Sequence, residues 1–458
     1  MIGIFWIRQL IEIIEIVSTF RYYVVTKHTQ QKKEETMEVS TIVKKVEQAF
    51  QIVPERDARA LIGPKEFLVN FIFSFFQDRG TKSLASIRRS MSALTGRPIS
   101  PSSFWERLST NRLKNLLSKV VSSLLVSMGT TIGIGNEILN TLGVTGILLL
   151  DSSSSSLPAR AKKDFPAPRN NVAPAAIKLH LLFNLFGGID WFDLSEAKMH
   201  DRKGFPPLSL LKNKLILFDL GYFDFQLFKD IQEIGGFFLT RIKENTSVII
   251  GEVIEGLPKK FEGYPLLNIR LPKVKSKIIE VMGILEKNYK PFLSVRVVGF
   301  WNPMEKRYHW YVTNLIVSAK LIYPLYRLRW QVELIFKSIK SSLRWKDLSS
   351  SNKNIIYSLT LAAIAGSMIA HPIGRSLILE KMENKKYANT VQRNIIVLVN
   401  VAKVLSKYIL QPIKNNFLEL MKLLEMFLKE FIEPNANKRE TSLMRVARMA
   451  GSLSGSHS

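Results

Sequence analysis

The chain has 458 residues, 46% of them apolar, which is enough for a packed core and excludes a disordered chain; the length suggests about two to four domains. With 65 Lys and Arg against 38 Asp and Glu the net charge is +27, which points to a polyanion, either nucleic acid or an anionic membrane surface. The absence of cysteine excludes a disulfide scaffold, a thiolate zinc site and a cysteine nucleophile, and fits a reducing compartment.

In chain order, residues 1–20 are apolar but broken by Arg8, Glu12 and Glu15. Ile4, Ile7, Ile11 and Ile14 recur at helical spacing, so an amphipathic helix is expected there, not a span or a signal peptide. Residues 1–36 read as an arm or an upstream extension. From 37 to about 140 the spacing is helical, carried by Ile42, Val46, Phe50, Phe67, Phe71, Ile72 and Phe75. Another helix is expected over 103–126, behind the turn signal Arg97-Pro98-Ile99-Ser100-Pro101. Arg88, Arg89, Arg97, Arg107, Arg112, Lys114 and Lys119 decorate this region. It is either a helical DNA-binding region or a solvated helical face.

Beyond Val144 the pattern changes to short apolar runs. Strands are expected at 144–150, 175–186, 189–199, 215–218 and 236–242, with a helix at 223–234. Residues 248–317 read as further strands, with Pro258, Pro265, Pro272 and Pro291 as breakers. A helix is expected over 323–339, and helical structure from 350 to about 433. Within it, the apolar stretch 355–370 falls about one turn short of a bilayer span and reads as a buried core helix. Residues 434–458 form a basic, then Ser/Gly-rich tail, expected to be mobile. The plan is an α/β core at 141–246 and 319–345, interrupted by a β-rich insertion at 247–318. Helical regions at 37–140 and 346–433 flank it.

Asp151 and Asp219 each close an apolar strand run, which presents a carboxylate at the lip of a sheet. Two adjacent carboxylates repel, and a cation between them is the natural partner. Oxygen donors and a chain with six histidines favour Mg²⁺ or Mn²⁺ over zinc. Taken singly, each acid reads first as a turn residue after a strand. On the helix near 330, Tyr326, Arg329, Glu333, Lys337 and Lys340 fall within an arc of about 80°. Leu325, Leu328, Val332, Ile335, Phe336 and Ile339 form the packing side, and Pro324 suits the first turn. The stripe is either a third metal-binding acid among phosphate-gripping groups or a surface salt-bridge ladder.

At these residues the sequence resembles the DDE transposases of bacterial insertion sequences, specifically the IS-four family with its YREK signature, Tyr-x2-Arg-x3-Glu-x6-Lys. Tyr326, Arg329, Glu333 and Lys340 match all four positions. Leu148-Leu149-Leu150-Asp151-Ser152-Ser153 and Phe218-Asp219-Leu220-Gly221-Tyr222-Phe223 resemble the blocks around the first two acids. Phe238-Leu239-Thr240-Arg241-Ile242-Lys243, Ala176-Ile177-Lys178-Leu179-His180 and Met199-His200-Asp201 resemble further blocks, so the likeness covers roughly residues 60–400. Leu220 departs from the family, where many members carry Arg.

The resemblance implies an RNase H-like fold with a β-rich insertion before the third acid. It implies Asp151, Asp219 and Glu333 as a catalytic triad holding two Mg²⁺ ions, with Mn²⁺ able to substitute. The reaction would be metal-dependent cleavage and strand transfer of insertion-sequence ends, cut-and-paste through a hairpin intermediate. Tyr326, Arg329 and Lys340 carry over as phosphate contacts; Lys337 joins them from its place on the helix. Trp310 is the candidate to stack a flipped base, with Trp301 as rival and a core role as the alternative. The implied partners are double-stranded DNA, meaning terminal inverted repeats and target, and a second copy bound through 352–370 in a paired-end complex. The implied location is the cytoplasm of a bacterial host, at the nucleoid, with no membrane. The competing readings are a non-catalytic or domesticated DNA-binding derivative and a structure-specific nuclease on the same fold.

Overall fold

Nine apolar stretches pair into one mixed sheet. In the computed structural model they are β1 (Ile147–Leu157), β2 (Ala175–Asn184), β3 (Gly188–Glu196), β4 (Leu215–Phe218), β5 (Phe237–Arg241), β6 (Val248–Glu255), β7 (Ile278–Lys287), β8 (Lys290–Asn302) and β9 (Arg307–Thr313). Their order is β3-β2-β1-β4-β5-β9-β8-β7-β6. β1, β4 and β5 run parallel, and the remaining pairs are antiparallel. The structure describes residues 38–432 apart from 57–59, 78–82, 129–135, 169–172, 244, 267–275 and 382–390. The expected arm at 1–36 and tail at 434–458 lie outside the described residues.

One strand expectation changes. β1 does not stop at Asp151. The serine run continues it, paired with β2 from Ser152↔His180 to Ser156↔Ala176. In the β-rich stretch 247–318, β9 pairs with β5 at Leu239↔Thr313 and Arg241↔Tyr311, extending the same sheet.

Strand alternation gives the sheet two apolar faces. On one, Ile147, Leu149, Leu215, Leu217, Leu239 and Tyr311 pack against most of the helices. On the other, Leu148, Leu150, Ile216, Phe218, Phe238 and Val312 pack with α7 (Phe225–Glu233), once the N-terminal helices are counted as α1 to α6. Those are α1 (Val39–Ala49), α2 (Pro64–Gln77), α3 (Leu84–Thr95), α4 (Pro101–Ser109), α5 (Asn111–Met128) and α6 (Asn136–Leu142). Sequence sets their ends. Ser83 and Ser100 accept backbone N–H bonds at the starts of α3 and α4, and Gly96 closes α3 at φ +65°. The rest are α8 (Ala319–Arg327), α9 (Trp330–Ser341), α10 (Lys353–Lys381), α11 (Val391–Leu410) and α12 (Lys414–Met426).

Several basic residues of the N-terminal helices are structural. Arg88, Arg97 and Arg107 donate to the carbonyls of Ile99, Leu61 and Ile62 at 2.6, 2.9 and 2.9 Å. Arg89, Arg112 and Lys119 remain exposed.

α10 is apolar all round and lies among α1, α2, α4, α5 and α11. By length and composition it could cross a membrane, but 94% of its apolar window is buried inside the protein. This is the core helix that the sequence suggested. It also corrects the expected dimer contact over 352–370. Ile355, Ile356, Leu359, Ala362, Ile364 and Ile369 are buried in the chain's own core, so they cannot face a second copy.

Candidate active site

β1 and β4 pair from Ile147↔Leu215 to Leu150↔Phe218. The next residue on each is an acid, so Asp151 and Asp219 stand side by side where β4 ends. Alternation turns both towards the face of Leu149 and Leu217, which α8 and α9 cover.

The expected single helix over 323–339 is two helices. It begins earlier, at Ala319, so Pro324 lies inside α8, not in its first turn. At the junction the backbone tightens. The N–H groups of Leu328, Arg329, Gln331 and Val332 bond three residues back, at 2.9–3.1 Å. This 3₁₀ step turns Glu333 relative to Tyr326, and such steps recur at functional hinges.

Arg329 lies at that step and is 8% exposed. Its guanidinium donates to Asp151 Oδ2 at 3.3 Å and to Glu333 Oε1 at 2.8 Å. The Tyr326 hydroxyl reaches Asp219 Oδ1 at 3.5 Å, the outer limit of a hydrogen bond. The three acids, drawn from β1, the end of β4 and α9, therefore converge around one arginine. Burial, above all, pushes the Asp151 carboxyl up to about 6; repulsion from Asp219 and Glu333 adds to this, and the Ser152 amide and Arg329 oppose it. Burial, then Asp219, pushes the Tyr326 hydroxyl up to about 12, so it stays a donor.

The donor set is all carboxylate oxygen, and its charges need a cation, which suits a hard divalent ion. Arg329 supplies that cation in this arrangement. Among the described residues no three Asp, Glu or His side chains stand ready to hold a metal together. The chemistry fits a metal once the carboxylates leave Arg329.

Lys337 is exposed on α9, and Lys340 is half-buried with its Nζ 5.8 Å from the Trp345 ring. Burial lowers the Lys340 pKa from its ordinary value. Trp310 is not brought to the acids. It projects from the opposite sheet face, stacks on Tyr308 at 5.4 Å, and lies across Gly299, where a Cβ would meet its ring. Trp301 packs against Tyr308 on that same face, at 5.1 Å.

Sequence reasoning missed two features. Trp330, directly after Arg329, is 59% exposed. The signal was present, since an indole beside the charged stripe belongs to neither the packing side nor the salt ladder. Behind Asp151, on the other face of β1, lies a polar network. The Ser152 hydroxyl donates to Asp201 Oδ1 at 2.7 Å, and Lys178 Nζ to the same oxygen at 3.0 Å. Burial raises the Asp201 carboxyl, but these two hydrogen bonds bring it below its ordinary value.

Residues 143–365 match the family described as the transposase DDE domain. This segment, just under half of the chain, is similar to the transposase DDE domain family. The matched segment takes in all nine strands, α7 to α9 and the first half of α10. Among known proteins, the transposase for insertion sequence element IS1151 of Clostridium perfringens is 25% identical over 295 residues, 54% of this chain and 62% of that protein. The transposase for IS231F of Bacillus thuringiensis subsp. israelensis is 25% identical over 300 residues, 54% and 60% of the two chains. The transposase for IS231B of B. thuringiensis subsp. berliner is 24% identical over 342 residues, 64% and 68%. The chain thus spans 60–68% of the length of these relatives.

Proposed function

We propose that this protein is an insertion-sequence transposase that cleaves DNA at the element's ends and joins those ends to a target. The observation that carries this is the meeting of Asp151, Asp219 and Glu333 around Arg329, within the segment similar to the transposase DDE domain family. The order β3-β2-β1-β4-β5, with β1, β4 and β5 parallel, supports an RNase H-like core.

Asp151, Asp219 and Glu333 would hold two Mg²⁺ ions, or Mn²⁺ in their place, supplying activation of the attacking oxygen and charge stabilisation at the leaving 3′-oxygen. The chain's own groups do the rest. Arg329 serves two masters: in the free protein it neutralises the acids, and a phosphate of the element's end offers it a bidentate alternative. When Arg329 turns to the phosphate, the carboxylates are released. The Tyr326 hydroxyl steadies Asp219. Lys337 and Lys340, farther along α9, extend the cationic track for the DNA backbone. Trp330, on the acid side of the sheet, is the better-placed platform for a displaced base, and Trp310 remains as the contact from the far face. The substrates are double-stranded terminal repeats and target DNA, cut through a hairpin. Paired ends call for a homodimer, on a surface other than α10.

The test is cleavage of a labelled duplex carrying the element's terminal repeat in Mg²⁺, Mn²⁺ or EDTA. Asp151→Ala, Asp219→Ala and Glu333→Ala should each abolish nicking and leave end binding in EDTA intact. Near-normal nicking in any one removes that residue from the triad. Nicked products without hairpins or joined strands would favour the nuclease reading; salt-sensitive binding without cleavage would favour a non-catalytic DNA-binding protein.

A further inference from the structure

We propose that Asp201 is a positioning residue for the first acid: with Lys178 it tethers Ser152, and through Ser152 it fixes the Asp151 carboxylate. This rests on the triad reading above.

The need for a tether follows from the sheet. Up to Leu150, β1 is held on both sides, by β2 and by β4. β4 ends at Phe218, so from Asp151 onward β1 has a strand neighbour on one side only. The acid therefore sits where the backbone loses half its ladder. Asp151 and Ser152 point to opposite faces, as neighbours in a strand must. On the acid face Arg329 holds Asp151. On the other face the Ser152 hydroxyl is bound to Asp201 Oδ1 at 2.7 Å, while the Ser152 amide donates to Asp151 Oδ1 at 2.8 Å. A serine fixed by its side chain thus presents its N–H to the carboxylate.

Asp201 is itself anchored from several sides. Lys178 Nζ donates to Asp201 Oδ1 at 3.0 Å and to the Met199 carbonyl at 2.5 Å. At Gly204 a Cβ would run into the His180 ring, so the segment lies flat on β2. Arg202 pairs with Asp224 at 2.7 Å. Gly221, two residues past Asp219, lies close against Asp201: a Cβ there would come to 3.3 Å from Oδ2, a tight contact. The segment between β3 and β4 is thus locked to β2 and to the turn that follows Asp219. The buried Tyr222 side chain, with its hydroxyl beside Ser152 and Asp201, closes the same face. Lys178 and Asp201 belong to two sequence blocks that the catalytic reading leaves unused, and the tether gives both a role.

Groups that orient metal ligands from behind typically change metal affinity by about 10–100-fold when lost. The experiment measures Mn²⁺ binding to the full chain by the electron paramagnetic resonance signal of free Mn²⁺, with a non-cleavable duplex bound. Wild type is compared with Asp151→Ala, Ser152→Ala, Ser152→Thr and Asp201→Asn, and each unfolding midpoint is recorded. Ser152→Ala and Asp201→Asn should both weaken Mn²⁺ binding by about 10-fold. Ser152→Thr, which keeps the hydroxyl, should stay within about twofold of wild type. Unchanged Mn²⁺ affinity in Ser152→Ala overturns the proposal, whatever happens to the unfolding midpoint. So does a loss confined to Asp201→Asn, since charge and not the tether would then act. If Asp151→Ala binds Mn²⁺ as wild type does, the triad reading itself fails and takes this inference with it.

Discussion

Asp151→Asn should stabilise the metal-free protein at neutral pH, and by an amount that grows with pH. The folded Asp151 carboxyl keeps its proton up to about pH 6, chiefly because burial penalises its charge, whereas the unfolded chain releases it near the ordinary 3.8. Between those values the folded state binds more protons, so wild-type stability falls as pH rises through the window. The gap is worth about 3 kcal/mol at 1.36 kcal/mol per pH unit, of which about 2 kcal/mol accrues between pH 4.5 and 7.5. Asparagine keeps the size and an acceptor for the Ser152 amide but cannot ionise, and Arg329 retains Glu333 at 2.8 Å. The assay is urea unfolding of both proteins in EDTA at pH 4.5 and 7.5. The stability difference should move in favour of the variant by about 2 kcal/mol over that interval. A difference that stays constant, or moves the other way, would refute the claim that Asp151 is a desolvated carboxylate crowded by two others. At pH 7.5, Mg²⁺ at about 100 times its dissociation constant should stabilise wild type by about 2.7 kcal/mol, with a much smaller gain in the variant.

The remaining expectations concern the DNA track and the aromatics. Lys337→Ala and Lys340→Ala should each weaken end binding and lower the slope of log affinity against log salt by about 1; unchanged slopes would remove them from the phosphate track. Trp330→Ala should leave stability within about 0.5 kcal/mol, because its ring faces solvent, yet slow hairpin formation more than first-strand nicking. Trp310→Ala should instead cost about 2 kcal/mol of stability through lost packing on Tyr308 and Gly299, read as a lower urea midpoint. If Trp330→Ala leaves hairpin formation untouched and Trp310→Ala impairs it without destabilising, the two roles are reversed. Gly299→Ala should destabilise by about 1–3 kcal/mol, since its methyl must displace the Trp310 ring, and a neutral substitution would show that the ring yields freely.

What the sequence made legible is what local pattern encodes. Leu148 to Leu150 and Leu215 to Phe218 are apolar runs buried on both faces, so the strands and the acids that follow them could be read directly. The stripe of Arg329, Glu333 and Lys340 came from helical periodicity. Other features depended on partners distant in the chain. Serine has little preference for strands, and residues 152–156 become one because β2 supplies the matching edge. The β-rich stretch read as an insertion punctuated by prolines, and that pattern does not encode its pairing with β5 in the core sheet. A helix as apolar as α10 signals burial without saying by what, and a core and a partner surface look alike until the packing is known.

Arg329 shows most clearly how local and tertiary information combine. Its i,i+4 spacing to Glu333 allowed a plain helical ion pair, and that pair forms at 2.8 Å. The same spacing also allowed a phosphate contact beside a catalytic acid. The second ion pair, to Asp151 at 3.3 Å, spans 178 positions and no local pattern could reveal it. On the proposed function, the two readings become successive states of one residue. A metal taken by the carboxylates would displace the guanidinium between them, and a phosphate can offer Arg329 a bidentate partner in their place. Loss of Arg329 should therefore separate two quantities that usually fall together. Arg329→Gln should bind Mn²⁺ more tightly than wild type in the absence of DNA, because the competing cation is gone. It should bind the element's end more weakly, because the phosphate contact is gone. Mn²⁺ affinity and end affinity that both fall in this variant would mean that Arg329 supports the acids without competing for them.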